Sequence, residues 1–174
     1  MSKAFTKDDA TEGPLIVPPR APLPDGVPNY VTARGLRLLH AERAELEAER
    51  ARLSAALGDD DARRHARTVL RARASALAAR IASAIVVDPR TQPQDEVRFG
   101  ATVTLHTLEG ERAGEQRQLT IVGVDEADPA HGRVAMISPI ARAILGCRQG
   151  DTAELASDRG DQLMEIVAIA YDAE

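Results

Sequence analysis

Leucines recur at Leu36, Leu39, Leu46, Leu53 and Leu57, stepping by three and four once Arg43 and Arg50 fill the gaps. That spacing is the a/d seam of a coiled coil and predicts a helix over residues 33–57, about 37 Å long, with Thr32 as its N-cap. A second run, Leu70, Ala74, Leu77, Ile81 and Ala84, repeats the pattern and predicts a return helix over 62–87. Between them stands Gly58-Asp59-Asp60-Asp61, a helix breaker followed by N-capping acids, so the chain must turn and come back. The pattern therefore describes an antiparallel helical hairpin with three carboxylates at its far end.

Past Pro89 and a polar linker over 90–96 the period drops from 3.6 to 2. Alternation predicts strands over 101–106 and 118–122, separated by a turn around Gly110 to Gly114. An acidic loop over 123–129 leads to a strand over 134–137. A short helix over 139–145 follows, with Pro139 in its first turn and Gly146 closing it. Strands over 152–156 and 163–171 complete a small antiparallel sheet with one helix against it. The expected class is α+β, an N-terminal antiparallel coiled-coil hairpin followed by a β-sheet domain. The expected units are an arm over 1–29, the hairpin over 30–89 with its acidic tip at 58–61, and the second domain over 97–174. The arm is polar and then proline-rich, with too little apolar area to offset its ordering entropy, and is expected to be disordered.

Charge separates the two helices. The first mixes Glu42, Glu45, Glu47 and Glu49 with Arg37, Arg43, Arg50 and Arg52. The second carries Arg63, Arg64, Arg67, Arg71, Arg73 and Arg80, and no acid follows Asp61 within it. Two readings stay open: these arginines answer the glutamates across the hairpin, or they form a basic flank that passes near nucleic acid or an acidic partner surface.

Composition narrows the classes. Of 174 residues 44% are hydrophobic, but much of that is alanine, with two Phe, two Tyr and no Trp, so any core is modest. A net charge of −5 argues against a protein that lives by covering DNA phosphates over a broad surface. The single Cys147 excludes an internal disulfide and a cysteine metal cage and fits a reducing compartment. No apolar run approaches the ~20 residues that span a bilayer, and the first residues lack the apolar core of a signal peptide. The expectation is a cytoplasmic monomer without membrane contact. His40, His65, His106 and His131 are scattered without ligand spacing, which argues against a metal hydrolase.

The second half resembles the C-terminal domain of the bacterial Gre transcript-cleavage factors. The match runs through Phe99-Gly100-Ala101-Thr102-Val103, then Ile121-Val122-Gly123-Val124-Asp125-Glu126-Ala127-Asp128. It continues with Ser138-Pro139-Ile140-Ala141-Arg142-Ala143-Ile144-Leu145-Gly146 and Gly150-Asp151. The approach to the hairpin, Tyr30-Val31-Thr32-Ala33-Arg34-Gly35-Leu36, and its exit, Ala84-Ile85-Val86-Val87-Asp88-Pro89, are similar too. The resemblance implies an FKBP-like fold for the second domain and a coiled coil that enters the secondary channel of RNA polymerase. It implies a factor that is not itself an enzyme and promotes cleavage of backtracked RNA. Asp59, Asp60 and Asp61 would help to retain a Mg²⁺ shared with the polymerase, and no cofactor is tightly bound. Asp125, Glu126, Asp128, Ser138, Pro139, Ile140 and Arg142 match the motifs near the family's polymerase contact. Of these, Asp125 and Glu126 are expected in an exposed loop. Nascent RNA and DNA would be met only through the elongation complex.

Two departures keep alternatives open. Ala62 and Arg63 stand where the family's tip has Glu and Asn, and each arm is about seven residues shorter, a reach deficit of about 10 Å. A loss near one heptad in both arms preserves the seam. The tip therefore suits cleavage stimulation, or a channel-binding regulator or inhibitor without cleavage. A different class of protein, a helical-hairpin interaction module or chaperone, predicts binding to unfolded clients. A prolyl isomerase, which the FKBP-like shape suggests, lacks its aromatic-lined pocket, because the second domain offers Phe99, Tyr171 and no Trp.

Overall fold

The computed structural model describes residue 20 and residues 22–55, 60–156 and 160–171. Helices α1 (Ala33–Ala55) and α2 (Asp61–Ala82) lie antiparallel and bury Leu39, Leu46, Leu70 and Leu77 between them. Leu36, Leu53, Ile81 and Ala84 flank this seam, while Leu57 lies outside the described residues. Arg43 and Arg50 occupy seam positions by spacing, yet both are exposed. A guanidinium has no partner in an apolar seam, so it turns outward. What remains between the helices is a groove of about 490 Å³ floored by Leu46, Leu53, Leu70 and Leu77.

The return helix stops at Ala82, short of the expected Val87. Its last turn is finished from outside, since the side-chain amide of Asn29 donates to Arg80 O at 2.7 Å and to Ser83 Oγ at 3.0 Å. The residues beyond are β-branched and favour extended backbone. They form β2 (Ile85–Val86), which pairs in parallel with β1 (Tyr30–Val31). Ile85 N–H donates to Asn29 O and Val87 N–H to Val31 O, which ties the chain entering the hairpin to the chain leaving it.

The body contains β3 (Thr102–Glu109), β4 (Gln116–Val122), β5 (Arg133–Ala135), α3 (Pro139–Ile144), β6 (Thr152–Leu155) and β7 (Gln162–Ala170). The strand order is β5-β4-β3-β7-β6. Three of the pairings are antiparallel as expected, but β4 and β5 run parallel, Thr120 facing Arg133, so the sheet is mixed. The segment 123–132, with its 3₁₀ turn Pro129–His131, carries the chain back far enough to lay β5 in the direction of β4. Alternation places Val103, Leu105, Leu119, Ile121, Met164 and Ile166 on one face, and α3 covers them with Ala141 and Ile144. The phenol of Tyr171, at the end of β7, donates to Glu96 O and accepts from Arg98 N–H, pinning the linker to the sheet. No described helix is long and apolar enough to cross a membrane.

Candidate functional site

Two places on the molecule concentrate charge, the tip of the hairpin and its foot. At the tip Asp60 is the N-cap of α2, in extended backbone, and its Oδ1 accepts from Arg63 N–H at 2.8 Å. Asp61 begins the helix with a side chain 96% exposed and accepts through Oδ1 from Arg64, one turn along. Asp60 and Asp61 are thus adjacent at the far end of the rod. Gly58 and Asp59 lie outside the described residues. Among the described residues no three His, Cys, Asp or Glu side chains converge as metal ligands would.

The arginines of α2 meet several kinds of partner. Arg73 reaches Glu49 of α1 at 4.0 Å, the cross-hairpin pairing, and Arg67 reaches the Leu53 carbonyl at 3.4 Å. Arg80 leaves the hairpin altogether and turns toward the body.

The foot corrects one expectation. At Asp125 and Glu126 the loop after β4 is not exposed, because it is the socket in which the hairpin stands. Glu126 is 4% exposed, accepts from the Thr32 hydroxyl through Oε2, and pairs with Arg34 through Oε1 at 3.0 Å. Thr32 Oγ1 in turn accepts from Gly35 N–H at 2.9 Å, so the N-cap of α1 and the buried carboxylate form one chain of bonds. Beside it Asp125 pairs with Arg80 at 3.0 Å, and Arg80 is itself 7% exposed. Arg20 bridges Asp125 and Glu42 from the side. Two glycines make the approach possible. A Cβ on Gly35 would come within 2.8 Å of the Glu126 carboxylate, and one on Gly123 within 2.6 Å of Tyr30 O. The cations that neutralise these carboxylates lie some 45 to 105 positions away in sequence. Sequence reasoning treated loop and hairpin separately and so missed this pairing. Its signal was present: opposite charges beside a glycine in both Thr32-Ala33-Arg34-Gly35 and Gly123-Val124-Asp125-Glu126.

The remaining expected contact residues lie around β5 and α3. Asp128 Oδ2 sits 2.7 Å from His131 Nδ1 and 2.8 Å from Arg133 Nη2. The His131 hydrogen bond, seconded by Arg133, holds the Asp128 carboxyl below the usual carboxylate range. Ser138 caps α3, its Oγ accepting from Ala141 N–H at 3.3 Å, and Ile140 packs partly against the core. Pro139 and Arg142 are exposed on the same short helix.

Residues 92–171 match the family model of the C-terminal region of the transcription elongation factors GreA and GreB. The chain is 34% identical to the transcription elongation factor GreA of Hyphomonas neptunium, over 81% of its own length and 96% of the relative's. It is 31% identical to the GreA of Desulfovibrio desulfuricans, over 81% and 93%. A solved structure, the GreA/GreB elongation factor of Nitrosomonas europaea, aligns over 83% of this chain and 99% of its own at 22% identity, with a TM-score of 0.39.

Proposed function

We propose, from the premise that this chain belongs to the GreA/GreB family of transcription elongation factors, that it acts on RNA polymerase through its hairpin. The rod enters the secondary channel and the body holds the rim outside. The acids at the tip serve the polymerase's own catalytic centre, promoting cleavage of backtracked RNA and release of arrested complexes. The observation that carries this reading is the separation of roles along α1. Asp60 and Asp61, at the start of α2, stand at the far end of the hairpin from the near end of α1, a 23-residue helix about 34 Å long that Glu126 fixes in the body. A carboxylate pair held at that distance serves a site the chain does not contain.

The donor set fits a metal ion shared with the polymerase. Asp60 and Asp61 each commit one oxygen within the chain and keep carboxylate capacity for partial ligation, alongside Asp59. When bound, such an ion supplies Lewis-acid polarisation of the scissile phosphate and activation of a water. The part of this chain is to present the carboxylates and hold them still through the cap and the Arg64 pair. On the body, Asp128, Pro139 and Arg142 offer surface for the rim, with Ser138 and Ile140 setting the pose of α3. Asp125 and Glu126 act by fixing the angle of the rod.

A second reading, a channel-binding regulator without cleavage, is favoured by the same tip. Asp60 is employed as a helix cap, Asp61 pairs with Arg64, and Ala62 offers no ligand. A stalled, backtracked elongation complex mixed with purified protein and Mg²⁺ separates the two. Shortened RNA supports cleavage, whereas altered elongation without shortening supports regulation alone. Changing Asp59, Asp60 and Asp61 to Ala is expected to abolish either effect while leaving polymerase binding intact. Loss of binding as well would make the tip a docking element and end the metal argument.

A further inference from the structure

The far end of the body carries a cation that neither the hairpin nor its foot employs. Strand β4 sets Arg117 opposite Leu105, on the face of the sheet that bears the core. Its Nη2 donates to Met164 Sδ at 3.1 Å, and thioether sulfur is a weak acceptor. Its Nε is buried without a partner. Among the described residues Arg117 forms no ion pair, and another cation, Arg112, stands in the turn before β4. Burial and then Arg112 hold the guanidinium below its ordinary pKa, with Glu115 a lesser opposing influence. On the same face, two positions along β7 from Met164, the Oε1 of Gln162 is also buried without a partner. Rotating that amide by half a turn presents its NH₂ instead, a further donor of the kind an anion uses.

A partly desolvated guanidinium is costly to hold without a counter-charge. Arginine is also the side chain whose planar fork suits two oxygens of one carboxylate or phosphate. We infer that Arg117, with Arg112 in the turn that precedes its strand, forms an oxyanion-binding site at the end of the sheet remote from the hairpin. The group bound is a carboxylate or phosphate, either a free anion or an acidic side chain presented by a partner. The inference does not depend on the proposed action at polymerase, since it concerns residues outside the tip and the foot.

The test is a titration of the full chain followed through the Nε–Hε resonances of its arginines. Arg117 is assigned by the signal that vanishes in Arg117→Met, and by Arg117→Lys should that variant not fold. Inorganic phosphate and a short oligoglutamate peptide are the two titrants, each compared with sodium chloride at equal ionic strength. The expected result is a saturable shift of the Arg117 resonance with at least one titrant, and an affinity about tenfold lower in Arg112→Met, as loss of one charge-assisted contact would give. Saturation by phosphate identifies a free-anion site, and saturation by the peptide alone identifies a side-chain site. No saturable shift with either titrant, or a shift that chloride reproduces, overturns the inference.

Discussion

Glu126 is the residue on which the position of the hairpin turns. Its carboxylate is out of water and answers both Thr32 and Arg34. Removing one partner of a buried charged pair leaves the other uncompensated, so Glu126→Ala is expected to cost roughly 2–4 kcal/mol in denaturant unfolding. Glu126→Gln keeps the Thr32 bond and should cost about half as much. Asp128 offers a pH test at another place. Its folded pKa is depressed, so its contribution is present above the ordinary carboxylate value and is lost as pH falls through the lower folded one. Below about pH 4 the parent should lose stability more steeply than Asp128→Asn, as thermal melts across the acid range would show. Parallel acid limbs would mean that the His131 and Arg133 contacts contribute nothing. At this scale the sequence misled where it mattered, because a pair of acids in a glycine-bearing loop looks solvated until its cations are brought from elsewhere in the chain.

Helix α2 shows what periodicity can and cannot specify. The leucine seam was legible because burial of Leu39, Leu46, Leu70 and Leu77 follows directly from their spacing. The end of the helix was not, because Ile85, Val86 and Val87 fit a helical face as well as a strand. Their partner at Asn29 to Val31 decided the matter. The parallel placement of β5 was hidden for the same reason, since pairing direction depends on where a loop returns and not on alternation. The seam positions that failed to bury carry a prediction. Arg43→Leu and Arg50→Leu should fill the groove and stabilise the hairpin by about 1 kcal/mol each, read as a rise in the denaturation midpoint. The tip separates similarly. Asp60→Ala should cost about 1 kcal/mol through the lost cap, whereas Asp61→Ala removes an exposed pair worth a few tenths. Asp61→Ala therefore probes function at the tip with the fold held nearly constant.

For the molecule as a whole, reversing Asp125 and Glu126 to Arg confronts Arg20, Arg34 and Arg80 with like charge at the foot. Limited proteolysis at the hairpin–body junction should accelerate in the double variant even without any partner present. Unchanged cleavage rates would show that the β1–β2 pair and the apolar contacts suffice to hold the foot. A pull-down with polymerase on that variant then tests whether a disturbed foot weakens the proposed grip.

The parallel sense of β1 and β2 has a mechanical result. The chain reaches the pair at Asn29 and departs at Val87, which lie at opposite ends of two strands pointing the same way. Tension between the leading segment and the body therefore loads the Ile85–Asn29 and Val87–Val31 bonds together, in shear, and cannot peel them one after the other. Force applied across the root of the hairpin would therefore have to break both bonds at once.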